Sequence, residues 1–124
     1  MQLKGVPRFI QAGSLPHIHH TQEEIFYILQ GEMEFVTNDI TTGAPNGSLL
    51  RIPRGCCETT GTWGPEHARV LVLFASGGFE GFFEEVGEPV TASSAPPEGP
   101  PDVEMLVAAA AKYGCEIPPP PRSS

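Results

Sequence analysis

The sequence predicts an all-β fold, a small barrel or sandwich, and three observations carry that expectation. Short β-branched or aromatic runs recur at regular spacing; Gly, Pro and Asn clusters separate them; and the 124 residues include 14 Gly and 14 Pro, a turn-rich composition that suits strands better than a helical bundle. At this length the chain fits one domain that buries a core without disulfide or metal staples. The expected layout is a core over about residues 14–76, a helical C-terminal extension over about 79–114 and a loose tail over 118–124.

Residues Met1 to Pro16 read as a lead-in with at most one short strand, Val6 to Ile10, broken by Pro7 and ended near Gly13. Strands then follow around Ile18, over Ile25 to Leu29, Met33 to Val36, Leu49 to Ile52 and Val70 to Phe74. Gln30-Gly31 between two of these runs predicts a tight hairpin, with Leu29 opposite Glu32 and Ile28 opposite Met33. In that register Glu32 and Glu34 face water, so Met33, Phe35, Ile28, Phe26 and Glu24 share the inner face. The same parity puts Phe26, Ile28, Met33, Phe35, Leu50, Ile52, Val70, Val72 and Phe74 on the inner wall, with Phe26, Ile28, Met33, Phe35, Ile52 and Val72 as candidate pocket residues.

Farther along, Phe79, Phe82, Phe83 and Val86 recur at helical spacing and Gly87 ends a short helix that closes one barrel end. After the Pro-rich segment Ala95 to Pro101, Asp102 caps a second helix carrying Val103, Leu106, Val107 and Ala110 on one face, with Gly114 past its end. The run Ile25 to Leu29 is apolar on both faces, so Ile25, Tyr27 and Leu29 need an outer cover. The C-terminal helix, a second sheet or another subunit would serve, and a homodimer is the expectation.

The formal net charge of -8 argues against nucleic acid or an anionic membrane surface, both of which require a positive patch, and a small molecule is the expected partner. Cys56, Cys57 and Cys115 are odd in number and two are adjacent, so no disulfide framework is indicated. Reduced thiols, the absence of an apolar leader in Met1 to Arg8 and the lack of an ~18-residue apolar window lead to the expectation of a cytoplasmic protein.

His17 and His19 are two residues apart, so on an extended segment both rings project to one side, and Glu24 opens the next inward-facing run. Two imidazoles and a carboxylate with open positions left over suit Fe(II) and related first-row ions. By itself a His-x-His followed by an acid is a weak signal, equally compatible with surface histidines near a turn.

The wider text adds specificity. Pro16-His17-Ile18-His19, four residues, Glu24, six residues and Gly31 resemble the first signature motif of the cupin superfamily, and Glu23 to Glu32 look like the matching segment of small bacterial quercetin dioxygenase-like cupins. Gly47, five residues, Pro53-Arg54-Gly55, two residues and Glu58 follow the second motif in spacing. The similarity extends through Arg69 to Phe74 and Gly77 to Phe83, and overall from about Pro16 to Gly114.

This resemblance implies a double-stranded β-helix, the cupin jelly-roll barrel, with a metal near its middle held by His17, His19, Glu24 and a histidine of the second motif. Here that fourth position is Glu58. A carboxylate there adds negative charge and hardens the ligand set toward Fe(II) or Mn(II), with Ni and Zn as further options; alternatively it marks a site that has lost its metal. Glu58 would also serve as a catalytic base, since an inward carboxylate among apolar walls has a raised pKa. Small cupins of this group carry more residues before the first motif, so either an arm exchanged between subunits or a minimal variant is expected.

His20 and Glu23 point away from the ligands by parity and read as solvated rim residues, while His67 reads as an exposed loop residue that could replace the missing imidazole only by an unusual path. Cys56 and Cys57 are expected to pack, redox sensing or soft-metal binding being the alternative. The resemblance implies an enzyme acting on a small enol, flavonol-like or dicarbonyl molecule, in the first instance a dioxygenase. A non-redox lyase, isomerase or cyclase and a non-catalytic binding module are the alternatives.

Overall fold

A computed structural model describes residues 2–3, 14–63, 67–95 and 99–119. The expected strand over Val6 to Ile10 lies outside them. Strands β1 (Gln2–Leu3), β2 (His17–His19), β3 (Glu23–Gln30), β4 (Glu32–Thr37), β5 (Ile40–Ala44), β6 (Leu49–Ile52), β7 (Cys57–Trp63) and β8 (Arg69–Ala75) are followed by helix α1 (Glu80–Val86), β9 (Gly87–Glu88), α2 (Val103–Lys112) and β10 (Cys115–Glu116). One antiparallel sheet has the order β10-β2-β7-β4-β5, a second β6-β3-β8, and β1 pairs with β9.

The five- and three-stranded sheets face one another across a common core. Phe26 and Ile28 from β3, Met33 and Phe35 from β4, Ala44 from β5 and Ile52 from β6 are all buried there, with Leu50, Cys56, Val70 and Val72 packed against them. Alternation along β8 leaves Val70, Val72 and Phe74 partly buried and Arg69, Leu71, Leu73 and Ala75 exposed, as period-2 parity requires. Every residue expected on the inner wall lies on that side.

The expected hairpin at Gln30-Gly31 is corrected. β3 and β4 do not pair; the tight turn passes the chain from one sheet to the other, β3 pairing with β6 and β8 and β4 with β5 and β7. The physical reason is cross-strand matching: β3, apolar on its outer face, pairs with strands whose outer faces carry Leu49, Leu71 and Leu73, whereas the outer face of β4 carries Glu32 and Glu34. The inner-face assignment survives because both strands face the same core from opposite sheets. Gly31 makes the crossing feasible, with φ of +76° and so little room that a Cβ would lie 2.8 Å from the His67 carbonyl oxygen.

A true two-residue hairpin lies at the next turn. Asn38 and Asp39, both at positive φ, join β4 to β5 with Thr37 opposite Ile40. Helix α1 ends at Gly87, and α2 begins at Asp102, whose carboxylate accepts from the Met105 amide at 3.1 Å. The buried stripe of α2 is Leu106, Ala109 and Ala110; Val103 and Val107 are exposed, a correction of the expected face. It follows from where α2 docks: it packs on α1 and β10, not on the barrel's outer sheet. No helix among the described residues is long and apolar enough to cross a membrane.

Candidate metal centre

The short strand β2 presents His17 and His19 on the same side. It lies antiparallel to β7, where His17 is the direct partner of Glu58, and to β10, where His19 is the partner of Cys115. Glu24 arrives from the opposite sheet as the first inward residue of β3, between Ile52 and Phe74. One ligand atom from each of His17, His19, Glu24 and Glu58 lies within 4.8 Å of the others. His19, Glu24 and Glu58 are buried, Glu58 to 1% exposure, while the His17 side chain keeps 15% and marks the side open to solvent.

The polar pairings are incomplete in a way that suits a cation. His17 Nδ1 donates to the Leu15 carbonyl at 2.7 Å, which turns the other ring nitrogen, Nε2, towards the cluster. That Nε2 faces Glu58 Oε1 at 2.9 Å, yet neither Glu58 oxygen has a well-aligned hydrogen bond. His19 Nε2 lies 2.5 Å from Glu24 Oε1, and His19 Nδ1 and Glu24 Oε2 are buried without partners. Buried polar atoms are rarely left so, and lone pairs that converge on one another need a proton or a metal ion between them. Two imidazoles and two carboxylates converging in this way could hold a metal ion.

Burial also shapes the protonation states. It pushes the Glu58 carboxyl up to about 7, with the neighbouring Glu24 adding to the rise and the His17 contact opposing it. His19 is pulled down to about 4, chiefly by burial and then by His17 beside it. Burial also pulls on His17, but the Glu58 contact and the Leu15 carbonyl outweigh it and leave its pKa raised.

Aromatic side chains enclose His19. Phe79 meets it edge-on at 4.6 Å between centroids, Phe74 lies at 5.6 Å, and Phe82 and Phe83 pack on Phe79. Helix α1 and the turn before it thus cover the His19 side of the cluster. Cys115 completes this wall, buried against Phe79 and Ala110, its thiol pushed up to about 12 by burial and by Glu24 and Glu58. Its place beside His19 was missed in the sequence, where nothing near Cys115 signals a two-residue strand.

The other candidates fall elsewhere. His20 is exposed and pairs with Glu116 at 3.0 Å, and Glu23 pairs with Arg51 at 2.7 Å on the outer face. His67 is exposed and outside the cluster. Cys56 packs against the core, and Cys56, Cys57 and Cys115 are all free thiols. Phe26, Ile28, Met33, Phe35, Ile52 and Val72 form the apolar cluster of the core, with Ile52 and Val72 on the strands flanking β3.

No curated protein sequence matches the chain significantly. Among solved structures, the chain is similar to the TT1209 protein of Thermus thermophilus, with a TM-score of 0.51 and 17% identity over 60% of this chain and 83% of that one. It is similar to the cupin domain of Cnp3 from Schizosaccharomyces pombe, at 0.50 and 24% over 63% and 57%. A sugar phosphate isomerase of the cupin superfamily from Silicibacter pomeroyi aligns at 0.47 and 23% over 50% of this chain. The aligned part is 41% of that isomerase's length, and these identities speak to fold alone. Residues 10–74, more than half the sequence and including all four candidate ligands, match the Cupin domain family, and the chain belongs to it.

Proposed function

We propose that the protein is a metal-dependent cupin enzyme acting on a small oxygenated molecule of the enol, flavonol-like or dicarbonyl type. The observation that supports this reading is the convergence of His17, His19, Glu24 and Glu58 donor atoms within 4.8 Å, most of them buried and lacking partners. Fe(II) or Mn(II) is the favoured occupant of so carboxylate-rich a set, and the ion would supply Lewis acidity and a redox couple.

The chain's own groups divide the remaining work. His17, His19 and Glu24 would hold the ion, with the Leu15 carbonyl orienting the ring of His17. Glu58, opposite His17 in the β2–β7 ladder, either adds a fourth donor or takes a proton from the substrate's acidic carbon or hydroxyl. Phe74 and Phe79 keep water from the His19 side, and substrate enters from the side of the more exposed His17.

A dioxygenase is the first version; a lyase, isomerase or cyclase is the second, favoured by the position of Glu58, a buried acid beside the ligands that suits proton transfer without redox chemistry. Metal analysis of the purified protein and its His19→Ala variant, followed by turnover of a dicarbonyl and flavonol panel with an oxygen electrode, tests the proposal. Stoichiometric metal lost in the variant, with substrate-dependent oxygen uptake, supports the dioxygenase. Full-rate anaerobic turnover selects the non-redox version. Wild-type protein that takes up no Mn(II) or Fe(II) overturns both.

A further inference from the structure

The charge of the donor set carries a consequence for what can bind beside it. Side chains that ligate a cation do so deprotonated, so His17 and His19 count as neutral imidazoles and Glu24 and Glu58 as two carboxylates. Two negative charges cancel those of a divalent ion, and the loaded centre is formally neutral. With one carboxylate and three imidazoles it would carry a positive charge. Glu58 makes that difference from close by: one of its oxygens lies within 4.8 Å of a donor atom from each of the other three residues.

No described side chain restores a positive charge. Glu58 is 1% exposed and Glu24 3%, so neither charge is well screened by water or salt. Among the described residues the guanidinium and ammonium groups belong to Arg51, Arg54, Arg69 and Lys112, all of them exposed. Arg51 is paired with Glu23 at 2.7 Å and Lys112 with Glu85 at 2.6 Å. On the His19 side the wall is Phe74 and Phe79, which add no charge. The net charge of -8 over the whole chain opposes an incoming anion at longer range as well. An anion brought here gives up its hydration and meets no compensating charge, whereas a neutral oxygen donor gives up far less.

On the reading that the cluster holds a divalent ion, we propose that Glu58 sets the charge of the ligand: the site takes a neutral hydroxyketone, diketone or enol and rejects carboxylate and phosphate anions. Its place opposite His17 in the β2–β7 ladder puts the second negative charge beside the more exposed imidazole, on the side from which a ligand arrives. A charge within about 4–6 Å changes the affinity of a buried group for a proton by about 10- to 1000-fold, and it acts on any other ion by the same Coulomb law.

Titration of the Co(II)-loaded chain with azide, an anion, and with imidazole, neutral at about pH 8, tests this through the visible spectrum of the bound ion. Glu58→Gln removes the charge; Glu58→His removes it while keeping a fourth donor. In each variant the affinity for azide is expected to rise at least about tenfold more than the affinity for imidazole. Equal gains for the two would mean that the substitution merely vacates a coordination position, and would overturn the proposal. A wild type that binds azide as tightly as the variants overturns it too, and leaves the metal reading intact. Wild-type protein that takes up no Co(II) overturns both. If neither variant retains Co(II), the wild type decides: imidazole at about 10 mM should shift its spectrum and azide at the same concentration should not, and any other result overturns the proposal.

Discussion

Glutamine at position 58 would keep the shape of the side chain and remove its charge, which separates the cost of a buried carboxylate from its use as a metal donor. In the folded, metal-free protein the Glu58 carboxyl has a pKa of about 7 against an ordinary 4.5, with burial as the main cause. Below pH 4.5 the group is protonated in both the folded and the unfolded chain and costs nothing. Between 4.5 and 7 the folded chain holds a proton that the unfolded chain has released, so stability falls as pH rises; above 7 the loss is complete. At about 1.4 kcal/mol per pH unit, the full loss is about 3 kcal/mol. Metal-free Glu58→Gln is therefore expected to match the wild type near pH 4.5 and to exceed it at pH 8 by up to about 3 kcal/mol. At about 4 °C per kcal/mol for a domain of this size, Tm rises by up to about 12 °C. Thermal unfolding of both proteins in the presence of a chelator, followed by circular dichroism from pH 4.5 to 8, measures the difference. A variant that is less stable than the wild type at pH 8, or whose difference from it does not change with pH, would refute the claim that Glu58 is a carboxylate held against its solvation preference.

Three further outcomes are expected. Saturating Mn(II) should stabilise the wild type by about 2.7 kcal/mol at a hundredfold excess over Kd, read as a Tm shift of about 10 °C, and His17→Ala or Glu24→Gln should abolish most of it; equal shifts in all three proteins would mean that the ion binds elsewhere. Phe79→Ala removes a ring that is 4% exposed and packed on His19, Phe74, Phe82 and Phe83, and should cost about 3–5 kcal/mol in denaturant unfolding. Gly31→Ala forces a side chain into a left-handed backbone with a carbonyl oxygen 2.8 Å from the new Cβ, so a loss of about 1–3 kcal/mol is expected, and a neutral substitution would contradict the close approach at residues 67 and 68.

The sequence by itself determined what depends on local periodicity and spacing. Alternation placed Phe26, Ile28, Met33, Phe35 and Ile52 inside, because a strand's two faces are set by residue parity whichever strand lies beside it. The two-residue step from His17 to His19 put both rings on one side of the strand, the motif spacing named Glu24 and Glu58 with them, and Asp102 announced the start of α2 through its own capping chemistry. What only the tertiary structure decided is which strand pairs with which. Gly31 signals a turn equally well within a sheet and between two sheets, and the choice rests on distant residues: Leu49, Leu71 and Leu73 match the outer face of β3, and the backbone at residues 67 and 68 presses against the turn. The same dependence on distant partners explains why Val103 and Val107 are exposed, since α1 and β10 select the buried stripe of α2. It also explains why Cys115, far beyond His19 in sequence, stands directly opposite it. The donors were legible because their spacing is local; the unpartnered lone pairs that suit them to a cation became visible only when two sheets brought β2, β3 and β7 to one point.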